Sequence, residues 1–400
     1  MPSIFNIFID SNTKLLTMDN FVFHNPVKVL FGKGETAKLS RNIPKDSKIL
    51  LTYGGGSIKK NGVYDQVMAA LEGYDITEFS GIEPNPHYET LMKAVEIIKE
   101  KSIDFILAVG GGSVIDGSKF VAAAVHFDGE PWDILAKAAR VTKAVPLGAV
   151  LTLPATGSEM NGNSVVTKWE TKEKLAFGSP MVMPQFSVLD PETIYSLPIK
   201  QVSNGIADAF IHVLEQYLTY PVNAPIQDRF AEGIMQTLVE EGPKVLANQK
   251  DYDAAANFMW AATMALNGLI AAGVPQDWAT HMIGHELTAF HGIDHGQTLA
   301  IVMPAMMQYK RDVKGDKIVQ FAQRVWNINE DSRDATIDAA IAKTKEFFET
   351  IGLKTSLSEV EVGTETIDKI EKRFEGRGFN IGENADITPA DIKGILELCS

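Results

Sequence analysis

Two apolar segments, each followed by the same glycine run and then by a helical pattern, constrain the fold of this chain most. Residues 48–53 (KILLTY) lead into GGGS at 54–57, and residues 104–110 (DFILAVG) run into GGGS at 110–113. Strands that alternate with helices imply a parallel sheet, because each helix returns the chain to the start of a neighbouring strand. The first half is therefore predicted to be α/β.

The glycine runs also suggest what the sheet could bind. Glycine lets a backbone approach a ligand closely, and free N–H groups at a helix N-terminus attract phosphate. Glycine is also used in strand-to-helix turns for geometry alone, and neither run has the GxGxxG spacing of an ordinary Rossmann fingerprint. Two such turns in one parallel sheet nevertheless favour a dinucleotide. Ser113 and Asp116 are spaced as a capping box at the start of the second helix.

The remaining segments divide the chain. Residues 20–34 are predicted to be an extended segment or a hairpin that turns at Asn25-Pro26. A further strand, 147–157 (LGAVLTLPATG), ends in hydroxyl side chains suited to phosphate or ribose, although a Ser/Thr-rich turn without a ligand is the alternative. Strand signals nearly vanish after Leu197, and long amphipathic patterns follow. We expect an extension or leader at 1–17, without the basic start of a signal peptide, a dinucleotide-binding α/β domain at 18–197 and a helical metal-binding domain at 198–400.

Histidines are concentrated in the second half, where residues 203–298 contain five of the eight in the chain. Asp208 and His212 stand four residues apart in an apolar helical pattern, and His281 and His285 repeat that spacing before His291 and His295 follow. A carboxylate with several imidazoles suits a divalent metal, although a lone histidine on an apolar face is often a core residue. HExxH and HxxEH are absent, which disfavours a zinc peptidase. Spacing alone leaves open which histidines would bind.

Composition restricts the class of partner. A chain of 400 residues with 45% apolar and 22% charged residues is typical of a globular protein with two cores. The net charge of −14 argues against nucleic acid or an anionic membrane as the main partner. The single cysteine, Cys399, excludes an internal disulfide and fits a reducing compartment such as the cytoplasm. The uncharged stretch 254–276 is more typical of a buried helix than of a membrane span.

From about residue 20 onward the chain resembles the iron-containing (group III) alcohol dehydrogenases, most closely their NADP-dependent butanol dehydrogenase or aldehyde reductase branch. The motifs are GGGSVID at 110–116, ATGSE at 155–159, the helix with Asp208 and His212, and HMIGHELTAFHGIDHG at 281–296. The resemblance implies a Rossmann-like α/β domain followed by an all-α domain, the architecture of dehydroquinate synthase. Cofactor and metal would face each other across the cleft between them.

The resemblance also implies roles for individual residues. One divalent metal ion, Fe²⁺ or Zn²⁺, would be held by Asp208, His212, His281 and His295, which leaves His285 unliganded beside the substrate and His291 without a role. Because His285 lies one helical turn from His281 and the reduced oxygen must acquire a proton, we predict that His285 is a proton relay, a purely structural role in the pocket wall being the alternative. The pyrophosphate would lie at Gly111, Gly112, Ser113 and Asp116, the rest of the cofactor along Asn85, Thr152, Thr156 and Ser158, and its ribose near Lys174.

The chain departs from the family pattern in two places. Leu151-Thr152-Leu153 stands where the family usually has Pro-Thr-Thr, which removes one expected hydroxyl contact. Members that use NAD carry an aspartate at the end of the first strand, where this chain has glycines. Gly55, Gly56 and Ser57 would leave room and donors for a 2′-phosphate, and Lys59 and Lys60 would add positive charge, so NADP(H) is predicted.

The resulting prediction is a metal-dependent NADP(H) alcohol dehydrogenase or aldehyde reductase that interconverts short-chain aldehydes and primary alcohols by hydride transfer. The alternatives are a polyol (glycerol-type) dehydrogenase, a dehydroquinate-synthase-like lyase and a metal-binding protein without catalysis. The lyase is disfavoured, because its carboxylate-rich substrate would need a cluster of basic residues that this chain does not have around His281 to His295. A homodimer is predicted through the segment 21–31, which is apolar at alternate positions (Phe21, Phe23; Val27, Val29, Phe31).

Overall fold

The computed structural model describes residues 17–400, so the predicted extension at 1–17 lies, except for Thr17, outside the described residues. Between residues 17 and 190 the structure has eight strands, in chain order β1 (Lys28–Phe31), β2 (Lys48–Thr52), β3 (Asp75–Phe79), β4 (Phe105–Gly111), β5 (Leu147–Leu153), β6 (Asn163–Lys168), β7 (Glu173–Gly178) and β8 (Phe186–Leu189). Six of them form one parallel sheet in the order β1-β8-β5-β4-β2-β3, and β6 and β7 form a separate antiparallel pair.

Five helices accompany these strands: α1 (Ser57–Lys60), α2 (Val63–Ala70), α3 (Tyr88–Lys101), α4 (Gly112–Ala124) and α5 (Asp133–Ala136). From Ile199 onward the described chain is helical: α6 (Ile199–Tyr217), α7 (Pro225–Ala247), α8 (Tyr252–Ala265), α9 (Ala279–His291), α10 (His295–Tyr309), α11 (Arg311–Val325), α12 (Arg333–Thr350), α13 (Thr364–Arg377) and α14 (Pro389–Glu397). Short 3₁₀ helices lie at Glu35–Arg41, Ser158–Met160, Pro180–Val182, Pro191–Ser196 and Ser358–Val360.

The central strands are buried on both faces of the sheet. Along β4, Ile106 packs into the core that contains α3 and α4, whereas the next residue, Leu107, packs with α2 on the opposite face. This alternation follows from the two-residue period of a strand. Such a sheet presents its strand ends, rather than a face, to ligands.

Helix α6 lies at the centre of the helical half and is buried from Gly205 to Tyr217. It packs against α7, α8 and α10, so that polar side chains such as Asp208, His212 and Glu215 are buried together with its apolar ones. The uncharged stretch 254–276 forms a helix only as far as Ala265, where α8 ends. No helix in the described part of the chain has both the length and the apolar character that a bilayer span requires.

Of the two forms expected for residues 20–34, an extended segment or a hairpin, the hairpin is wrong. The segment contributes one strand, β1, which pairs in parallel with β8 and so meets a partner more than 150 residues away (Lys28↔Phe186). The real hairpin, β6–β7, was not predicted, because its turn at 169–172 (WETK) lacks the glycine and asparagine of common hairpin turns.

The predicted capping box at the start of α4 is also wrong. Gly111 is the N-cap residue of α4, and no side chain caps this helix. Ser113 Oγ instead accepts a hydrogen bond from Asn85 N at 3.2 Å, and Asp116 Oδ2 accepts one from Val165 N at 2.9 Å. The start of α4 therefore keeps backbone N–H groups that its own side chains do not cover.

A buried ionic cluster fixes the start of α9. Asp277 accepts hydrogen bonds from Ala279 N at 2.8 Å and from Lys314 Nζ at 2.5 Å, and Lys314 also donates to Glu383 at 2.8 Å. Burial and the neighbouring Asp277 raise the pKa of Glu383 to about 7, because one lysine cannot balance two buried carboxylates. The cluster holds the first turn of α9, which carries His281.

Candidate active site

One cleft of about 990 Å³ lies between the carboxyl ends of β2, β4 and β5 and the helices α6 and α9. In the strand order, the chain continues from β2 toward one edge of the sheet, to β3, and from β4 toward the opposite edge, to β5. The winding direction therefore reverses between β2 and β4, and the cleft lies at this point, which is the usual ligand site of such sheets. All residues predicted for cofactor, metal and catalysis line it: Gly55, Gly56, Ser57, Asn85, Gly111, Gly112, Ser113, Asp116, Thr152, Thr156, Ser158, Lys174, Asp208, His212, His281, His285 and His295.

Two glycines at the junction of β4 and α4, Gly110 and Gly112, are required by packing within the protein. A Cβ atom on Gly110 would lie 2.5 Å from Val114 Cγ2, and one on Gly112 would lie 2.5 Å from Thr156 Oγ1. Either contact is too short, so only glycine permits this approach of α4 to its neighbours. The N-terminus of α4 and the hydroxyl of Thr156 are thereby held side by side in the cleft, where they can serve a phosphate.

Behind this turn lies a lysine that the sequence did not single out. Lys119 is fully buried and donates to Ser158 Oγ at 2.8 Å, to Asn161 Oδ1 at 3.0 Å and to Asn163 O at 2.8 Å. Burial lowers the pKa of Lys119 to about 8, and the nearby Asp116 opposes this shift. The three acceptors match the three N–H groups of the charged ammonium form. Ser158 Oγ donates its only proton to Asp116 Oδ1 at 2.5 Å, so toward a cofactor this hydroxyl can only accept.

The structure brings the predicted metal ligands together. Asp208, His281 and His295 each place one ligand atom within 4.8 Å of the others. From Asp208 Oδ1 the distance is 3.6 Å to His281 Nε2, 3.7 Å to His295 Nε2 and 3.4 Å to Nδ1 of His212, which lies beside the trio. Asp208 Oδ1, His212 Nδ1 and His281 Nε2 are buried and have no hydrogen-bond partner within residues 17–400. Buried polar atoms of this kind, converging on one point, fit a metal ion.

Glu215 supports this cluster and was missed, although it lies seven residues after Asp208 and so on the same face of α6. Its Oε1 accepts from Thr280 N at 2.6 Å, and its Oε2 contacts His281 Nδ1. Burial alone would lower the pKa of His281, but the carboxylates of Glu215 and Asp208 outweigh it and raise that pKa to about 9. A carboxylate on Nδ1 fixes the ring so that Nε2 faces the cluster, as in carboxylate–histidine–metal sites.

His285 and Trp278 lie beside the cluster and line the same cleft. The ring of His285 lies 5.0 Å from that of His295, and the ring of Trp278 lies 5.4 Å from that of His281. Trp278 has a φ of 64°, a left-handed conformation that is uncommon for an aromatic residue and places it at the start of α9. His291 points elsewhere, because its Nε2 is 2.9 Å from Thr366 Oγ1.

Lys174 lies within the cleft and bridges to the loop after β3. Its Nζ donates to Asn85 Oδ1 at 2.9 Å, and Asn85 has a φ of 57°, a left-handed conformation that asparagine tolerates. Burial lowers the pKa of Lys174 to about 8, opposed by the charge of Asp208. Burial also lowers the pKa of His285 well below its ordinary value, with the positive charge of Lys174 adding to the effect.

The turn after β2 offers open space. A Cβ atom on Gly55 would meet nothing within 4 Å, whereas Gly56 has a φ of 91° and resists a side chain. Lys59 does not add free positive charge there, because its Nζ donates to Glu78 Oε2 at 2.9 Å. Lys60 is exposed. The room beside Gly55 and the exposed hydroxyl of Ser57 thus remain the features that favour a 2′-phosphate.

Comparisons with known proteins agree with this geometry. Residues 26–191 match the family described as "Iron-containing alcohol dehydrogenase", and residues 202–397 match "Fe-containing alcohol dehydrogenase family, C-terminal". The chain is 57% identical over 375 residues to the NADPH-dependent aldehyde reductase YqhD of Escherichia coli, a match that covers 93% of this chain and 97% of that protein.

Solved structures show the same fold. The crystal structure of E. coli K-12 YqhD matches with a TM-score of 0.95 at 55% identity, covering 96% of this chain and 100% of that one. NADH-dependent butanol dehydrogenase A from Thermotoga maritima matches with a TM-score of 0.92 at 37% identity, with coverage of 96% and 100%. The predicted fold class and the predicted class of enzyme, an oxidoreductase acting on alcohols and aldehydes, are confirmed. The chain belongs to the iron-containing alcohol dehydrogenase family.

Proposed function

We propose that this protein is a metal-dependent, NADP(H)-using alcohol dehydrogenase or aldehyde reductase that interconverts short-chain aldehydes and primary alcohols. The observation that carries the proposal is the cleft in which the Asp208–His281–His295 cluster faces the glycine turns of a dinucleotide-type sheet. The identity of 57% to an NADPH-dependent aldehyde reductase supports the choice of NADP(H) and of aldehydes. Membership of an iron-containing family supports one divalent metal ion, with Fe²⁺ and Zn²⁺ both compatible with these ligands.

Asp208, His212, His281 and His295 are the proposed metal ligands. When both are bound, the metal supplies Lewis acidity toward the substrate oxygen and NADPH supplies the hydride. Glu215 keeps His281 oriented through Nδ1 and Thr280 N. The backbone of Gly111 and Gly112 and the side chains of Ser113 and Thr156 would hold the pyrophosphate.

The other proposed cofactor contacts are Gly55, Gly56, Ser57, Asn85, Asp116, Thr152, Ser158 and Lys174. Asp116 and Ser158 are bonded to each other and through Ser158 to Lys119, so they would act mainly by fixing the loop that carries Thr156. Lys174, held by Asn85, would donate to the nicotinamide ribose.

Apolar side chains favour an aldehyde reductase over a polyol dehydrogenase. Trp278, Met282 and Phe379 line the same cleft as His285. Their surfaces match the hydrocarbon chain of an aldehyde and offer few partners for several hydroxyl groups. They would also keep water from the reacting carbonyl.

The test of the proposed function is an NADPH-oxidation screen of the purified protein against short aldehydes, with metal content measured on the same sample. Rapid oxidation with aldehydes such as propanal and butanal, in proportion to bound metal, is expected. Stoichiometric metal without any aldehyde-dependent oxidation would instead indicate a metal-binding protein without this activity.

His285 is the proposed proton relay, and His285→Gln is expected to lower kcat by roughly 100-fold. Reduction of an aldehyde ends with an oxygen that must acquire a proton. Because burial keeps the His285 imidazole neutral, it would take up a proton at one ring nitrogen while releasing one from the other. Metal stoichiometry and NADPH affinity should remain, since His285 is outside the proposed ligand set.

His291→Gln is the matched control, because His291 is on the same helix but contacts Thr366. Normal turnover of His285→Gln across roughly pH 6 to 9 would remove the relay role. Loss of metal from that variant would instead show that the ligand set is wrong.

We further propose a homodimer, a cytoplasmic location and a domain boundary at 197/198. The dimer is supported by Phe21, Val22 and Phe23, which are exposed beside one another. Sedimentation at micromolar concentration should give twice the mass of one chain, and a monomer would contradict the dimer.

The proposed cytoplasmic location is supported by the single buried Cys399, which is consistent with a reducing compartment.

A further inference from the structure

Two arginines converge on one buried carboxylate at the wall of the cleft. The side chain of Glu286 is 2% exposed, and each of its oxygens accepts from a different guanidinium. Arg373 Nη1 donates to Oε2 at 2.8 Å, and Arg377 Nη2 donates to Oε1 at 2.6 Å. One carboxylate balances one guanidinium, so the three side chains together carry a net charge of +1.

The two arginines differ in what else they contact. Arg373 also donates to Lys172 O at 2.9 Å, in the β6–β7 turn, and its guanidinium lies 4.1 Å from the ring centre of Phe290. Arg377 lines the cleft, and within residues 17–400 its guanidinium makes one hydrogen bond, that to Glu286. A guanidinium has five N–H donors, so Arg377 retains donors for a ligand in the cleft.

Within residues 17–400, Glu286 is the one carboxylate that forms an ion pair with Arg377. Lys174 lines the same cleft, and its bonded partner, Asn85 Oδ1, is uncharged. Other acidic residues of the lining have partners of their own: Asp294 pairs with Lys200 at 2.8 Å, Asp116 accepts from Ser158 Oγ and Val165 N, and Glu173 accepts from Thr171 Oγ1 at 2.6 Å. Asp208 belongs to the proposed metal cluster, where a divalent ion would carry more positive charge than this carboxylate carries negative charge. The chain's net charge is −14, but charges on its exposed surface are largely screened beyond about 8 Å at physiological salt.

We propose that Arg377 is a specificity-determining residue that binds the anionic group of an aldehyde substrate. The favoured substrates are short aldehydes with a carboxylate at the end opposite the carbonyl. Their carbonyl would lie at the metal cluster, their methylene groups against Trp278 and Phe379, and their carboxylate on the free N–H groups of Arg377. This inference rests on the proposed aldehyde reductase function.

The test compares two substrates with the same aldehyde end, succinic semialdehyde and its uncharged methyl ester, methyl 4-oxobutanoate, on the metal-loaded enzyme. The unmodified enzyme is expected to prefer the acid in kcat/KM. Arg377→Gln should lower kcat/KM for the acid by roughly tenfold or more, mainly through KM, and leave that for the ester nearly unchanged. Arg377→Lys should recover part of the loss, because it restores the charge without the planar fork.

Arg333→Gln is the matched control, because Arg333 pairs with Asp316 at 2.8 Å on the exposed side of α11 and α12. A general loss of folding would lower kcat/KM for both substrates together and would also lower the thermal midpoint. The ratio of kcat/KM for the acid to kcat/KM for the ester therefore isolates recognition of the charge. An unchanged ratio in Arg377→Gln would overturn the proposal. So would weaker NADPH binding in a fluorescence titration with an unchanged ratio, since Arg377 would then serve the cofactor phosphates.

Calorimetric binding of the product 4-hydroxybutyrate separates this inference from the proposed function. The enzyme with NADP⁺ should bind 4-hydroxybutyrate more tightly than 1-butanol, and Arg377→Gln should abolish that preference. If no aldehyde is reduced, the proposed function fails, while the calorimetric comparison still decides whether Arg377 recognises the carboxylate. Equal binding of 4-hydroxybutyrate to both proteins would overturn the role of Arg377 alone.

Discussion

Asp208→Ala and His281→Ala are each expected to lose bound metal and to lower aldehyde reduction by on the order of 10³-fold or more. Asp208 Oδ1 lies within 4 Å of nitrogens from three histidines, so its removal leaves the proposed ion without its only carboxylate. His281 is the proposed ligand whose Nδ1 contacts Glu215, so its removal also leaves that carboxylate buried without its histidine. Metal content by elemental analysis and NADPH oxidation on the same samples would measure both effects.

His291→Ala is the matched control for these variants, because it removes an imidazole from α9 without touching the cluster. Both ligand variants should keep most of their helical content, since α6 and α9 bury extensive apolar faces of their own. Their thermal midpoints should no longer rise on addition of metal, because binding stabilises only the native state with an intact site. Full activity in a metal-free His281→Ala protein would refute the assignment.

Gly55→Asp should shift cofactor preference from NADPH toward NADH, with NADPH affinity falling by roughly tenfold to a hundredfold. Two like charges about 4 Å apart repel by several kcal/mol at a protein surface, and each 1.4 kcal/mol is a factor of ten. A side chain fits at Gly55, since a Cβ atom there would meet nothing within 4 Å and its backbone is not left-handed. The same aspartate could accept hydrogen bonds from the ribose hydroxyls of NADH.

Gly55→Asn separates charge from size, because asparagine has nearly the same shape and no charge. It should lower NADPH affinity much less than Gly55→Asp does. Equilibrium binding by nucleotide fluorescence and Michaelis constants for both cofactors would provide the comparison. If the unmodified protein already has a lower Michaelis constant for NADH than for NADPH, the argument from the glycine turn is wrong.

The sequence by itself determined the α/β half, the helical half and the segments that form the cleft. Strands such as β4 were predictable because burial on both faces produces a continuous apolar run, and α6 because its apolar residues recur with helical spacing. The Asp208–His212 and His281–His285 pairs were visible because both lie one helical turn apart. The choice among the five histidines, by contrast, came from resemblance to a family, because spacing alone does not distinguish a ligand from its neighbour.

Tertiary structure alone decided the contacts between distant segments. Glu215 meets His281 across 66 residues, Lys119 meets Ser158 across 39, and Arg377 meets Glu286 across 91. The expected capping box failed for the same reason: Ser113 and Asp116 have the right local spacing, but they bond to Asn85 and Val165 from other segments. The spacing of apolar residues in the sequence indicates which side of a helix or strand is buried, because burial acts on each segment separately. The partner of a buried charge depends on how whole elements pack, and no local pattern in the sequence records it.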